Sequence, residues 1–251
     1  MKPQFKQIVT VIFSVFLLSC SSDDTSAENP VTPVVNRPST EIPVTPISNA
    51  ISYLALGDSY TIGQSVCETC RYPEQLKASL KAIYPETVFS LKIIAKTGWK
   101  TSNLMSAINN ENLQSNYDLV TLLIGVNNQY QGINFSVYEK EFPELVTKAI
   151  ALAKGDKKNV IVLSIPDYAF TRYGTTYGGT GKISAEIAQY NLFAENYCKA
   201  NGVVFVSITD ITQKGIENPG LVAEDGLHPS KEAYTLFVER ILPKIKVALQ
   251  D

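Results

Sequence analysis

From about residue 50 onward, short runs of β-branched and aliphatic residues alternate with longer segments of helical spacing, and few folds accept that rhythm. The runs are Ile51 to Leu56, Val88 to Ala95, Leu119 to Ile124, Val160 to Ile165 and Val203 to Val206. Between them the spacing predicts helices near Pro73 to Tyr84, Thr101 to Asn110, Val137 to Ala153 and Ser184 to Asn201. A last helix is expected from about Lys231 to Leu249, where Phe237, Val238, Ile241 and Ile245 share one face. Strands that recur with helices between them build βαβ units, so the expected domain, 50–251, is a three-layer α/β/α arrangement around a parallel five-stranded sheet.

In such a domain ligands bind at the carboxyl ends of the strands, which directs attention to the loops there. The first strand runs into LGDSYTIG, where Gly57 allows a tight turn and Ser59 can project into the crevice, although a serine there also suits a turn or a helix cap. The second leads into AKTGWKTSNL, where Gly98 has no side chain to screen its backbone N–H; alone, it reads as a loop glycine. After the third comes LLIGVNNQY, in which Asn127 either aims its amide into the crevice or closes an Asx-turn.

The remaining loop, EDGLHPS, contains the chain's only histidine. A serine hydroxyl is a poor nucleophile unless a base takes its proton, and an imidazole suits that task near neutral pH. Asp225, three residues before His228, can hold the other ring nitrogen and stabilise the imidazolium. Pro229 stiffens the loop, and Ser230 is placed to cap the final helix.

With those four loops the chain resembles the SGNH/GDSL family of serine esterases and lipases. The matching blocks are GDS at Gly57 to Ser59, Gly98, GVNN at Gly125 to Asn128, and DGLH at Asp225 to His228, in order and across almost the whole folded region. The resemblance implies a flavodoxin-like sheet and a catalytic Ser59, His228 and Asp225. It also implies an oxyanion hole made by the backbone N–H groups of Ser59 and Gly98 and the side chain of Asn127. One position departs: the third block commonly reads GxND, and residue 128 is Asn, so the charge of that aspartate is missing.

The first nineteen residues differ in kind. Lys2 and Lys6 precede an apolar run from Ile8 to Leu18, too short to span a bilayer comfortably, as in a secretory signal. The run ends LLSC, which resembles the lipobox of bacterial lipoproteins. That resemblance implies cleavage after Ser19 and lipidation of Cys20, anchoring the protein in the cell envelope at the outer membrane, either periplasmic or surface-exposed. Residues 20–49 include five prolines between Pro30 and Pro46 and no helical periodicity, which describes an extended tether.

Of the other cysteines, Cys67 and Cys70 sit in SVCETCRYP beside the nucleophile loop and read as a local disulfide or two free thiols, with a redox-active pair the sharper alternative. Cys198 reads as a buried small hydrophobe. Neither metal nor cofactor is expected, since the one histidine is already engaged. A formal charge of −2 with scattered lysines offers no face for nucleic acid, and a monomer is expected. Specificity should come from the aromatic, glycine-rich stretch Pro166 to Lys182, read as a long loop with Tyr168, Phe170, Tyr173 and Tyr177 at a substrate rim, together with Trp99.

The expected function is hydrolysis of an acyl ester through an acyl-serine, with lysophospholipids, short-chain esters and acetylated carbohydrates all open as substrates. Transfer to an acceptor other than water also stays open. The competing class is a non-catalytic glycan- or lipid-binding lipoprotein on the same scaffold. For the third block, Asn127→Ala is expected to lower kcat far more than Asn128→Ala in steady-state ester hydrolysis, and equal losses would overturn the assignment of the oxyanion donor.

Overall fold

The computed structural model describes residues 45–250. The expected leader over 1–19, the lipidation site Cys20 and nearly all of the tether lie outside the described residues.

Five strands, β1 Ala50–Gly57, β2 Val88–Ala95, β3 Leu119–Leu123, β4 Val160–Leu163 and β5 Val204–Val206, form one sheet in the order β2-β1-β3-β4-β5, every pair parallel. Among the described residues nine helices accompany them: α1 Ser59–Ile62, α2 Tyr72–Ile83, α3 Thr101–Asn110, α4 Val126–Tyr130, α5 Phe135–Leu152, α6 Arg172–Tyr177, α7 Gly179–Asn201, α8 Thr209–Thr212 and α9 Lys231–Ala248. Helices α2 and α9 pack together on one face of the sheet, and α3, α5 and α7 on the other. This is the expected three-layer arrangement.

The strands are legible because burial dictates their composition. All five residues of β3 and all four of β4 are buried, as befits strands covered on both faces. Fully burying each leucine contributes about 1.5–3 kcal/mol. β2 is an edge strand and is half-exposed; there Lys92 pairs with Glu111 at 2.7 Å, a charge that discourages another chain from adding to the edge. Under α2 the buried hydroxyls of Tyr53 and Tyr72 share one partner: the Tyr53 hydroxyl bonds to Thr121 Oγ1 at 2.8 Å, and the Tyr72 hydroxyl to the same oxygen at 3.2 Å.

Register positions the site. Gly57, the last residue of β1, stands level with Ala95 of β2 and Leu123 of β3. The three following loops therefore leave the sheet side by side. β1 and β3 flank the point where the strand order reverses, the place where a doubly wound sheet opens a crevice. Gly57 tolerates no side chain: a Cβ would lie 2.1 Å from Thr61 Oγ1 and 2.4 Å from the Leu123 carbonyl oxygen.

The stretch 166–182 corrects one expectation. It is helical for most of its length: a 3-10 turn at Tyr168–Phe170, then α6, then α7, which begins at Gly179 rather than near Ser184. Thr171 caps α6 by accepting from the Gly174 N–H at 3.0 Å, and Asp167 caps the turn before it. Gly174 is there for close packing, since a Cβ would fall 1.9 Å from the Tyr168 carbonyl oxygen. Cys67 and Cys70 are joined in a disulfide. Cys198 is fully buried in α7, and burial pushes its thiol up to about 12, which leaves it inert as a nucleophile.

At the end of β1, Asp58 is the N-cap of α1 and is fully buried; its Oδ1 accepts from the Tyr60 N–H at 3.0 Å, but its Oδ2 has no partner. Burial pushes this carboxyl up to about 7, against the opposing pull of nearby backbone N–H groups. The folded chain therefore keeps a proton that the unfolded chain releases near pH 4. Stability from this group is full below pH 4 and declines as pH rises to about 7, by up to about 4 kcal/mol. Asp58→Asn, which keeps the acceptor and removes the titration, should flatten that decline. Denaturant unfolding of both proteins between pH 4.5 and 8 checks it, and parallel stability curves would show that Asp58 is ionised throughout.

Candidate active site

The segment that carries His228 is a tight hairpin-like loop. Val222 bridges Pro229, the Ala223 N–H donates to the His228 carbonyl at 2.7 Å, and the Ser230 N–H to the Leu221 carbonyl at 3.0 Å. Ser230 Oγ accepts from the Ala233 N–H and so starts α9, as its position suggested. Within this loop Asp225 is saturated with donors. Its Oδ1 accepts from the backbone N–H groups of Leu227 at 2.9 Å and His228 at 3.0 Å, while its Oδ2 takes His228 Nδ1 and Ser65 Oγ, both at 2.6 Å. Burial pushes this carboxyl up, but the bonds from Ser65 and His228 and the two backbone donors outweigh it and bring it to about 2. A carboxylate that stays ionised requires a proton on Nδ1, which leaves the lone pair of His228 on Nε2. The ring of Tyr60 meets the imidazole edge-on at 5.8 Å and limits its rotation.

Ser59 heads α1 and is almost fully buried, yet it shares a cavity of about 270 Å³ with His228, Gly98 and Asn127. Thr97 and Gly98 line this cavity. The Gly98 carbonyl accepts from Gln131 Nε2 at 3.1 Å and the Trp99 carbonyl from Asn127 Nδ2 at 3.0 Å, so both are tied to α4 and the residue that follows it. Among the described residues, nothing accepts from the backbone N–H of Ser59 or of Gly98. Gly98 has φ +82 with open space where a Cβ would stand, so the glycine is there for backbone conformation. Asn127 Nδ2 has a second N–H beyond the one given to Trp99, and its side chain lines the cavity. Ser59, Gly98 and Asn127 thus line one cavity, and among the described residues the backbone N–H groups of Ser59 and Gly98 and one N–H of Asn127 Nδ2 have no acceptor.

Asn128 is more than a missing charge. It is buried; its Oδ1 accepts from the Thr101 N–H at 3.0 Å and its Nδ2 donates to Thr101 Oγ1 at 2.7 Å, pinning the first residue of α3 behind the Gly98 loop. A neutral amide thus holds this loop without the charge that an aspartate would bring.

The rim divides. Tyr168 and Tyr173 line the Ser59 cavity, and Tyr177 lines a neighbouring one. Trp99 and Phe170 line neither, and both are partly buried against the core. Sequence reasoning missed Tyr130, Gln131 and Leu227 on the cavity wall, and it missed Ser65. Tyr130 had a signal, two residues beyond GVNN, once α4 is seen to begin there. Ser65 had none: its φ of +67 places a non-glycine residue in the left-handed region and turns its hydroxyl onto Asp225.

Solved structures of similar fold include an acetylxylan esterase from Geobacillus stearothermophilus, 19% identical, with TM-score 0.63, covering 79% of this chain and 95% of that one. A lipase/acylhydrolase from Enterococcus faecalis is 18% identical with TM-score 0.62, covering 79% of this chain and 97% of that one. No curated protein matches the sequence. Residues 55–236, which span every loop described above, match the GDSL-like lipase/acylhydrolase family. A buried serine, an imidazole held by a carboxylate, and free N–H donors around one cavity are the equipment of an ester hydrolase, and the chain belongs to that family.

Proposed function

We propose that the protein is a serine esterase that cleaves short-chain acyl esters through an acyl-enzyme. The observation that carries this is the hydrogen-bond chain from Ser65 through Asp225 to His228, which ends in the cavity that also holds Ser59, Gly98 and Asn127. Ser59 Oγ attacks the ester carbonyl as His228 Nε2 takes its proton, and the ionised Asp225 stabilises the imidazolium. The carbonyl oxygen, now negative, sits among the N–H groups of Ser59, Gly98 and Asn127. Collapse of the tetrahedral intermediate breaks the C–O bond, and the proton on Nε2 goes to the departing alkoxide. Water then attacks the acyl-serine by the same route and restores the hydroxyl.

The size of the cavity and its apolar neighbours Val126 and Leu227 favour a small acyl group over a long chain. The likeness to an acetylxylan esterase agrees with an acetyl group, although at 19% identity it bears on fold alone. Lipidation at Cys20 would hold this chemistry at the cell envelope, and we include it in the proposal on the strength of the leader's pattern.

With p-nitrophenyl acetate, butyrate and octanoate, turnover should fall with chain length, and Ser59→Ala or His228→Ala should abolish it. Asn127→Ala should cost about 10²–10³ in kcat, the usual loss of one oxyanion donor. Activity that survives Ser59→Ala would sink the mechanism, and no turnover by folded protein would favour a binding role.

Ser65→Gly separates activity from folding. Glycine accepts the positive φ without strain, so the melting temperature should not fall, while loss of a hydrogen bond to a charged group should lower kcat about tenfold. An unchanged kcat would remove Ser65 from the positioning of Asp225.

A further inference from the structure

The rings of Tyr130 and Tyr168 that wall the Ser59 cavity also wall a second one, of about 380 Å³, between α4 and the corner where α6 meets α7. The two spaces differ in chemistry. The second adds Gln129, Lys182, Glu186 and Gln189 to its aromatic wall. Its charges cancel: Lys182 Nζ lies 3.8 Å from Glu186 Oε1, and among the described residues no other cation lines the space. A phosphate-bearing headgroup wants cations in excess and would meet Glu186 instead. An acyl tail would cover the Gln129 Nε2 to Glu186 Oε2 bond, 2.7 Å, and strip water from its remaining polar atoms without replacing it.

An uncharged polyol satisfies both kinds of wall. Its hydroxyls can meet the amides and the carboxylate, and its C–H face can lie on an aromatic ring. A ring is ready: Tyr177 is 62% exposed, and it is stacked on Tyr173 with centroids 5.2 Å apart and planes 15° from parallel. Tyr173 is in turn fixed through its hydroxyl to that of Tyr130 at 2.6 Å. The exposed face is therefore preorganised, and little entropy is lost when a ligand covers it.

We infer that the second cavity is a subsite for a sugar ring in the alcohol portion of the substrate, so that the ester cleaved at Ser59 is an acylated oligosaccharide. This rests on the esterase reading above for its chemistry, though not for its binding. The alcohol would extend past Tyr130 and Tyr168 into the subsite and leave as free sugar when the acyl group passes to Ser59.

Two measurements test it. In the first, kcat/KM is compared for acetylated xylotetraose, acetylated cellotetraose, lysophosphatidylcholine and p-nitrophenyl acetate. Tyr177→Ala should lower the ratio of oligosaccharide to p-nitrophenyl ester at least tenfold, and Tyr177→Trp should restore it to within about threefold. In the second, Ser59→Ala protein is titrated with unacetylated xylotetraose and cellotetraose, and binding should weaken with Tyr177→Ala in the same proportion. Sugar binding without turnover of any ester would keep the subsite and overturn the esterase. Ser59-dependent turnover of p-nitrophenyl acetate with no sugar binding, an unmoved ratio, or a preference for lysophosphatidylcholine would keep the esterase and overturn the subsite.

Discussion

The parallel pairing of β1 with β3, which sets Gly57 level with Leu123, is the constraint on which the rest depends. Because the strand order reverses there, no connection crosses the gap above these two ends, and the loops beyond them can face each other. Every approach to that gap is close. Gly57 has no room for a methyl group, and Gly125 has none either, since a Cβ there would fall 2.6 Å from the ring of Tyr138. A slip of one residue in this pairing would exchange the two packed faces of one strand against the other and separate Ser59 from Asn127. The chemistry is thus tied to the most buried part of the sheet, where register is most strongly specified.

Two aspartates near that gap show how one residue type is set to opposite ends of its range. Asp225 sits in a loop and collects donors on both oxygens until its charge is secure down to about pH 2. Asp58 sits at the end of a buried strand with one oxygen unpartnered, and burial keeps its proton to about pH 7. Burial acts on both in the same direction, but it is complete at Asp58 and only partial at Asp225, which also collects donors on both oxygens. A charged Asp58 would place a second anion beside the serine, whereas a neutral one still accepts from Tyr60 and starts α1. Placing the anion behind the histidine and the neutral carboxyl behind the serine suits a site where negative charge develops on the carbonyl oxygen.

What the sequence disclosed and what it hid divide along physical lines. Val88–Ala95 and Thr101–Asn110 were readable to the residue, because periodicity reports burial and burial is what the fold repeats. The four loops leave the sheet where their residue types suggested, and they bring Ser59, Gly98, Asn127 and His228 to one cavity. The α6 region was misread because glycine was taken for flexibility, when Gly174 is a packing contact and Gly178 and Gly179, both with positive φ, make the corner between two helices. Ser65 was invisible because its partner is 160 residues away and its backbone conformation has no counterpart in composition. Tyr130 and Gln131 were missed for a related reason: a short helix after GVNN sets their direction, and five residues are too few to show a period.

This division corresponds to one in the molecule. The elements that hold Ser59, Gly98, Asn127 and His228 are strand ends and short turns fixed by backbone bonds, where side-chain changes have little freedom to move them. The walls beyond Tyr130 and Tyr168 come from residues 129 to 135 and from α6 and the first half of α7, whose exposed residues Tyr177, Lys182 and Gln189 carry no part of the sheet's packing. Substitutions there change what lies against the substrate without disturbing the level ends of β1 and β3. On the proposed reading, a fold arranged in this way would keep the acyl-transfer geometry constant while leaving the alcohol portion to a surface that costs little stability to vary.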